Sequence, residues 1–240
     1  MSHMLEISGV YAGYGGGDIL QGLDLALEER TITCIVGPNG AGKSTVMRLV
    51  SGVLHPRLGE VRFLGERIDR KAPKQILQAG IVQVPQNRSL FPGMSVAENV
   101  RLGGYILRDS ALLERRYAEV SELFPIVRER AKDKAGSLSG GQQKLVEFAR
   151  SLMLDPKLLL LDEPSMGLEP RILSQIFGVM VEMCRQGRTI LLVEQNARLG
   201  LESSDRGVVM ESGRVLLDGA ARSILGDERI GELYLGGRAH

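Results

Sequence analysis

The chain is poor in several of the residue types that announce a function. Cysteine occurs twice in 240 residues, as Cys34 and Cys184, far apart and in apolar segments. A disulfide framework or a cysteine-held metal is therefore not expected, and both read as small core residues in a reducing compartment. Aromatics make up only 4% of the chain, which leaves little for base-stacking platforms. Neither sign of charge prevails, with 30 Lys and Arg against 29 Asp and Glu and a formal charge of +1. That balance speaks against the broad basic surface of a duplex-binding protein, and no nucleic-acid partner is expected. No apolar run approaches the roughly 18 residues needed to span a bilayer. Met1-Ser2-His3-Met4 lacks the apolar centre of a signal peptide. The expectation is a soluble cytoplasmic chain that meets a membrane only through a partner. What is present suffices for a sizeable core: 43% of residues are hydrophobic and 25% charged.

The most informative stretch is residues 32–45. Ile32-Thr33-Cys34-Ile35-Val36 reads as a buried strand, and Gly37-Pro38-Asn39-Gly40-Ala41-Gly42-Lys43-Ser44-Thr45 follows at once. This is G-x-x-x-x-G-K-[ST] between a strand and a helix, the helix announced by Val46, Leu49 and Val50. Glycines let successive backbone N–H groups curl round an anion that a Cβ would hold off. The helix aims its positive end at the same point. Lys43 is placed to reach outer phosphates and the Ser44 hydroxyl to ligate Mg²⁺. The stretch predicts binding of a nucleoside triphosphate.

Around it the chain reads as α/β. Residues 5–27 alternate short apolar stretches with glycines, as antiparallel strands do. Tyr14 precedes three glycines, where its ring could stack on a purine or cover the sheet edge. Residues 59–69 form a second hairpin, Pro73 opens a short helix that Gly80 closes, and Ile81-Val82-Gln83-Val84 is a strand with Gln86 at its exit. Ser95 and Glu98 make a capping box, and apolar positions from Asp109 to Phe124 follow helical spacing. The residues from about 87 to 152 thus form a helical lobe inserted in a single domain, taken as 4–240. Ser139 and Gln142 make a second capping box, whose Gly140 and Gly141 leave N–H groups open to a phosphate.

Leu158-Leu159-Leu160-Leu161 then reads as a parallel strand covered on both faces. Asp162 and Glu163 stand at its end, where α/β sheets place their ligands. Side chains alternate along a strand, so Asp162 can hold Mg²⁺ through water while Glu163 faces an attacking water. A helix over 171–185 and a buried strand, Thr189-Ile190-Leu191-Leu192-Val193, bring Glu194-Gln195-Asn196 to the same edge. A hairpin turns through Ser212-Gly213, and a helical tail is expected over 221–234.

A phosphate loop, Leu138-Ser139-Gly140-Gly141-Gln142 and a four-leucine strand ending in Asp-Glu, in this order, resemble the ABC-type ATPase subunits. The resemblance covers residues 5–237, and the 138–142 segment is highly specific. It implies a phosphate-loop NTPase core with an antiparallel β subdomain and an inserted helical subdomain. It implies ATP as substrate, adenine stacking by Tyr14, and Gln86 as a further Mg²⁺ ligand that senses a transmembrane permease. Ser139, Gly140, Gly141 and Gln142 would complete the ATP site of a second ATPase subunit, identical or a sister. Gly80-Ile81-Val82-Gln83-Val84-Pro85-Gln86, Leu191-Leu192-Val193-Glu194-Gln195-Asn196-Ala197 and Tyr234-Leu235-Gly236-Gly237 resemble importers of branched-chain amino acids. That subfamily implies an indirect link to a solute-binding protein and a place on the cytoplasmic face of the membrane. Residues 87–104, with Leu90, Phe91, Pro92 and Met94, would dock the permease. Urea or amide import is the neighbouring reading, and a cluster-assembly ATPase the rival from another class.

Two departures stand out. The family usually has a histidine after the last parallel strand, at the γ-phosphate. Here the histidines are His3, His55 and His240, and Gln195 aligns there, or Glu194 if the register shifts by one. Glu169 stands where aspartate is common. A carboxamide donates a hydrogen bond but cannot become cationic near neutral pH. Hydrolysis is therefore expected to proceed with Gln195 and without the titration that an imidazole near pH 6.5 would add. A pH–rate profile that loses activity around that value, with the loss abolished by Gln195→Ala, would contradict this.

Overall fold

The computed structural model describes residues 3–86 and 89–227. The chain opens on an antiparallel pair, β1 (Leu5–Gly13) and β2 (Asp18–Leu27), and then enters β3 (Ile32–Val36), whose five residues are all buried. The phosphate loop leads into α1 (Lys43–Val50). There follow β4 (Leu58–Phe63), β5 (Glu66–Arg67), α2 (Pro73–Ala79) and β6 (Ile81–Val84). Four helices come next, α3 (Val96–Leu102), α4 (Ser110–Leu123), α5 (Pro125–Glu129) and α6 (Gly140–Ser151). The chain then alternates β7 (Leu158–Asp162), α7 (Pro170–Arg185), β8 (Thr189–Glu194) and α8 (Ala197–Glu202). It closes on β9 (Arg206–Glu211), β10 (Arg214–Ala220) and α9 (Ala221–Leu225).

The strands form two sheets. One is antiparallel, in the order β2–β1–β4–β5; the other runs β10–β9–β3–β8–β7–β6 and is parallel except for β10. The leucine run of β7 behaves as a strand with no solvent face should. Leu158 and Leu160 join the core shared with α1 and the antiparallel sheet, while Leu159 and Leu161 join the core under α3 to α7. Ile190 and Leu192 alternate with Leu191 and Val193 in the same way. α1 is therefore held between the two sheets, with Val46, Met47, Leu49 and Val50 buried. The start of this helix cannot drift relative to the strand before it.

Local signals set the helix ends. Gly80 closes α2 at φ 103°, a left-handed conformation that suits glycine. Ser95 caps α3 by accepting from the Glu98 N–H, and Asp109 caps α4 by accepting from Ala111 and Leu112. Pro125 ends α4 and starts α5. The expected tail helix appears as α9, and its continuation over 228–234 lies outside the described residues. Cys34 is fully buried, but Cys184 is only half-buried at the edge of the core, a correction to its reading as a core residue. Burial still pushes the Cys184 thiol up to about 12, so it stays protonated and inert.

One turn ties the sheets together beside the phosphate loop. Ser212 and Gly213 both have positive φ, 48° and 78°, as a two-residue hairpin turn between twisted strands requires. The Gly213 N–H donates to the Ala41 carbonyl at 3.0 Å, and its carbonyl accepts from the Gln21 N–H at 3.0 Å. A Cβ on Gly213 would run into the Ile19 carbonyl. Gly213→Ala is expected to lower unfolding stability by roughly 1–3 kcal/mol in urea melts, and to weaken nucleotide binding as well. A neutral substitution would show that this turn does not brace the loop.

Candidate functional site

β3, β8 and β7 pair in parallel with Val36 beside Glu194 and Val193 beside Asp162. Their carboxyl ends therefore open on one edge, where the phosphate loop, Asp162, Glu163, Glu194 and Gln195 end or follow the strands. Gly37 lies so close to β9 that a side chain would strike the Met210 carbonyl. Gly42 caps α1 at φ 100°. Pro38, Asn39, Gly40 and Ser44 are exposed, whereas Ala41, Lys43 and Thr45 are buried. Lys43 Nζ donates to the carbonyls of Gly37 at 2.7 Å and Pro38 at 3.1 Å. Burial lowers the Lys43 pKa, and the nearby charges of Glu163 and Asp162 oppose that shift.

Asp162 is 9% exposed, and its Oδ1 has no hydrogen-bond partner. Burial raises its pKa, with Glu163 adding to the shift; Lys43, a hydrogen bond from Ser44, and Arg48 pull the other way. A buried carboxylate oxygen without a partner, next to an exposed hydroxyl, is a donor set that Mg²⁺ satisfies. That ion takes one or two protein oxygens and keeps several waters. No group of three or more His, Cys, Asp or Glu side chains suited to an all-protein metal cage occurs among the described residues. The residues present fit Mg²⁺.

Glu163 follows at φ 47°, a conformation that costs energy for a side-chain-bearing residue and collects at functional positions. Its N–H donates to the Val193 carbonyl at 2.9 Å. Its Oε2 accepts from Gln86 Nε2 at 2.6 Å, across 77 residues of sequence. Glu163 also lines a cavity of 420 Å³ with Ser165, Glu194, Gln195 and Arg198. Glu194 is buried and engaged: Ser165 donates to it from its N–H at 3.1 Å and its hydroxyl at 2.7 Å. Burial raises the Glu194 pKa and the Ser165 bonds partly offset it. Both candidates left open by the sequence border this cavity, with Glu194 buried and Gln195 exposed.

Tyr14 is 49% exposed, with the Arg48 guanidinium 5.3 Å from its ring centre. Arg48 lies one turn after Ser44 and bears electrostatically on Asp162, a role that the i, i+4 spacing could have suggested. Ser165 carried no signal in the sequence. Ser139 caps α6 reciprocally with Gln142, through bonds of 3.3 and 3.0 Å. Ser139 and Gly140 are exposed, and Gly141 packs so near α7 that a Cβ would sit 2.8 Å from Ile172. This segment, with Gly167 and Glu169, lines a separate cavity of 1060 Å³ to which none of residues 37–45 contributes. Phe91 and Pro92 are exposed, Leu90 and Met94 only partly, and Asn87 lies outside the described residues.

Residues 20–166 match a family model described as ABC transporter. The chain is 37% identical to the high-affinity branched-chain amino acid transport ATP-binding protein BraG of Pseudomonas aeruginosa, over 98% of this chain and 100% of that one. It is 34% identical to the probable branched-chain amino acid transport ATP-binding protein LivF of Archaeoglobus fulgidus, over 97% and 99%. Among solved structures it resembles the ADP conformation of an ATP-binding cassette of an ABC transporter. The TM-score there is 0.88 at 29% identity, with 99% of this chain and 100% of that one covered.

The Asp162 shift has a measurable consequence in protein free of Mg²⁺ and nucleotide. A carboxyl whose folded-state pKa lies above the ordinary 3.8 binds its proton more tightly when folded. Its contribution to stability therefore falls as pH rises from 3.8 through the folded value. Asp162→Asn removes that cost, so the variant is expected to melt above the parent at pH 7, with the gap narrowing as pH falls. A variant that melts lower at neutral pH would contradict the burial argument.

Proposed function

This chain belongs to the ABC transporter family, as an ATP-binding and ATP-hydrolysing subunit, and we propose that it powers the import of branched-chain amino acids. The observation that carries the hydrolytic part is Glu163. It is held in a left-handed conformation at the carboxyl edge of β7, hydrogen-bonded to Gln86, and followed by a loop pinned through Ser165 to Glu194. The solute is supported by the likeness, over nearly full length, to two ATP-binding proteins named for branched-chain amino acid transport.

In this reading the backbone N–H groups of Gly37, Asn39, Gly40, Ala41, Gly42 and Thr45 and the positive end of α1 receive the phosphates of ATP, while Pro38, which has no N–H, shapes the loop between them. Lys43 exchanges its two loop carbonyls for phosphate oxygens. Tyr14 offers an exposed ring to the adenine. Ser44, Gln86 and, through water, Asp162 would hold Mg²⁺, which when bound supplies positive charge to the phosphate oxygens. Glu163 accepts the proton of a water that attacks the γ-phosphate in line, giving ADP and phosphate. Gln195 donates an amide hydrogen bond to that phosphate. Most of the rate comes from fixed charges and dipoles already aimed at the transferring group.

Ser139, Gly140, Gly141 and Gln142 act on the ATP of a second subunit, identical or a sister. What supports this is the exposure of Ser139 and Gly140 at the start of α6, over a cavity that their own phosphate loop does not line. The single domain spans 4–240 with its helical lobe at about 87–152, and residues 87–104 dock the permease through Phe91 and Pro92. A solute-binding protein feeds that permease. No helix among the described residues is long and apolar enough to cross a membrane. The chain works from the cytoplasmic face of its partner.

Glu163→Gln keeps the hydrogen-bonding shape and removes the base. Turnover is expected to fall by about 10²–10⁴-fold while ATP affinity is kept, with an ATP-dependent dimer accumulating in size-exclusion runs. Near-normal turnover would refute the assignment. For the solute, deletion of the gene should abolish uptake of labelled leucine, isoleucine and valine, and unchanged uptake of all three would refute it.

A further inference from the structure

α6 carries a buried ionic group that the chemistry above does not use. Glu147 is 3% exposed and Lys144 8%, and their charged ends lie 3.3 Å apart, in the turns that follow the Ser139–Gln142 cap. Both reach out of the helix to the main chain on either side of Gln86. Lys144 Nζ donates to the Pro85 carbonyl at 3.1 Å. Glu147 Oε1 accepts from the Ser89 N–H at 2.5 Å and from the Ser89 hydroxyl at 3.2 Å. Arg150 donates to the Ser89 carbonyl at 2.8 Å and also to its hydroxyl oxygen. Ser89 therefore has its N–H, hydroxyl and carbonyl all engaged by one helix.

Desolvating these charges is expensive, and apolar residues of similar volume would pack α6 against its neighbours at least as well. What apolar packing cannot do is direct a polar main chain. Two buried charges that seize backbone groups at Pro85 and at Ser89 anchor the chain before and after that glutamine. Gln86 lies between those two points, and its amide meets Glu163 Oε2 at 2.6 Å.

We propose that Glu147, together with Lys144, is a positioning residue for ATP hydrolysis. It holds both flanks of Gln86 on α6, so that the Gln86 amide is presented to Glu163 in step with the Ser139–Gln142 end of the same helix. The inference rests on the roles given above to Gln86 and Glu163. It makes α6 a rigid link whose one end serves a partner's nucleotide while its middle sets the geometry of the chain's own.

The test is a double-mutant cycle on ATP turnover in the assembled transporter. Glu147→Ala is expected to lower kcat by about 10- to 100-fold, the scale on which a misplaced catalytic contact registers, with KM for ATP changed by less than about twofold. Glu147→Gln keeps an acceptor for the Ser89 N–H and loses the charge facing Lys144, so its kcat should fall between. In a Gln86→Ala background neither change should cost anything further, because the group being positioned is gone. Losses that multiply in that background overturn the proposal, as does a Glu147→Ala kcat within about twofold of the parent. Should Glu147→Ala fail to fold, the same cycle is read on Glu147→Gln. The two readings separate cleanly. A Gln86→Ala protein with undiminished turnover removes the role of Gln86 and this inference with it, whereas an impaired Gln86→Ala protein with multiplying Glu147 losses removes the inference alone.

Discussion

The shared register of β3, β8 and β7 is the constraint on which the molecule depends. Parallel pairing of these strands brings the phosphate loop, the Asp162–Glu163 pair and the Glu194–Gln195 pair to one edge. A slip of one residue in any of them would turn every side chain to the opposite face. The slip is prevented by burial on both sides. Leu159 and Leu161 are fitted to the helices, Leu158 and Leu160 to α1 and the antiparallel sheet, and neither set can be exchanged for the other without exposing a core. Precision at the site is thus a by-product of a sheet that has no solvent face.

Electrostatics run against stability at that same edge. Asp162 and Glu194 are buried carboxyls with raised pKa values, and Lys43 is a buried amine with a lowered one. Glu163 adds a backbone conformation that side-chain-bearing residues seldom adopt. Each of these would relax in a chain selected only to fold. They persist because the surrounding strands over-determine the positions, and because each group finds part of its compensation nearby: Ser165 for Glu194, Ser44 for Asp162, the loop carbonyls for Lys43. Tolerated strain of this kind is the usual mark of a working site.

Much of this was legible in the sequence wherever the cause was local. The capping boxes at Ser95 and Ser139 were readable because both partners lie three residues apart, and the β7 run because a doubly covered strand needs unbroken apolar residues. The phosphate loop was readable because its glycines answer a requirement of the backbone alone. What stayed hidden joins residues far apart in the chain. Gln86 meets Glu163 across 77 positions and Glu147 meets Ser89 across 58, and neither pair carries a spacing that could be read. The choice between Glu194 and Gln195 was hidden for another reason. It turns on which of two adjacent side chains faces the core, and in the fold Glu194 is the buried one, engaged by Ser165, while Gln195 is exposed.

The two carbonyls that hold Lys43 have a consequence for selectivity. The ammonium is satisfied by the carbonyls of Gly37 and Pro38, which tie the start of α1 back to the loop. Any ligand must compete with those dipoles before it gains anything from the lysine. A singly charged anion offers little over two well-placed carbonyls, whereas the clustered oxygens of a polyphosphate offer charge and several acceptors at once. In the role proposed for it, the lysine is thereby a threshold as much as a ligand, favouring a chain of phosphates over small anions.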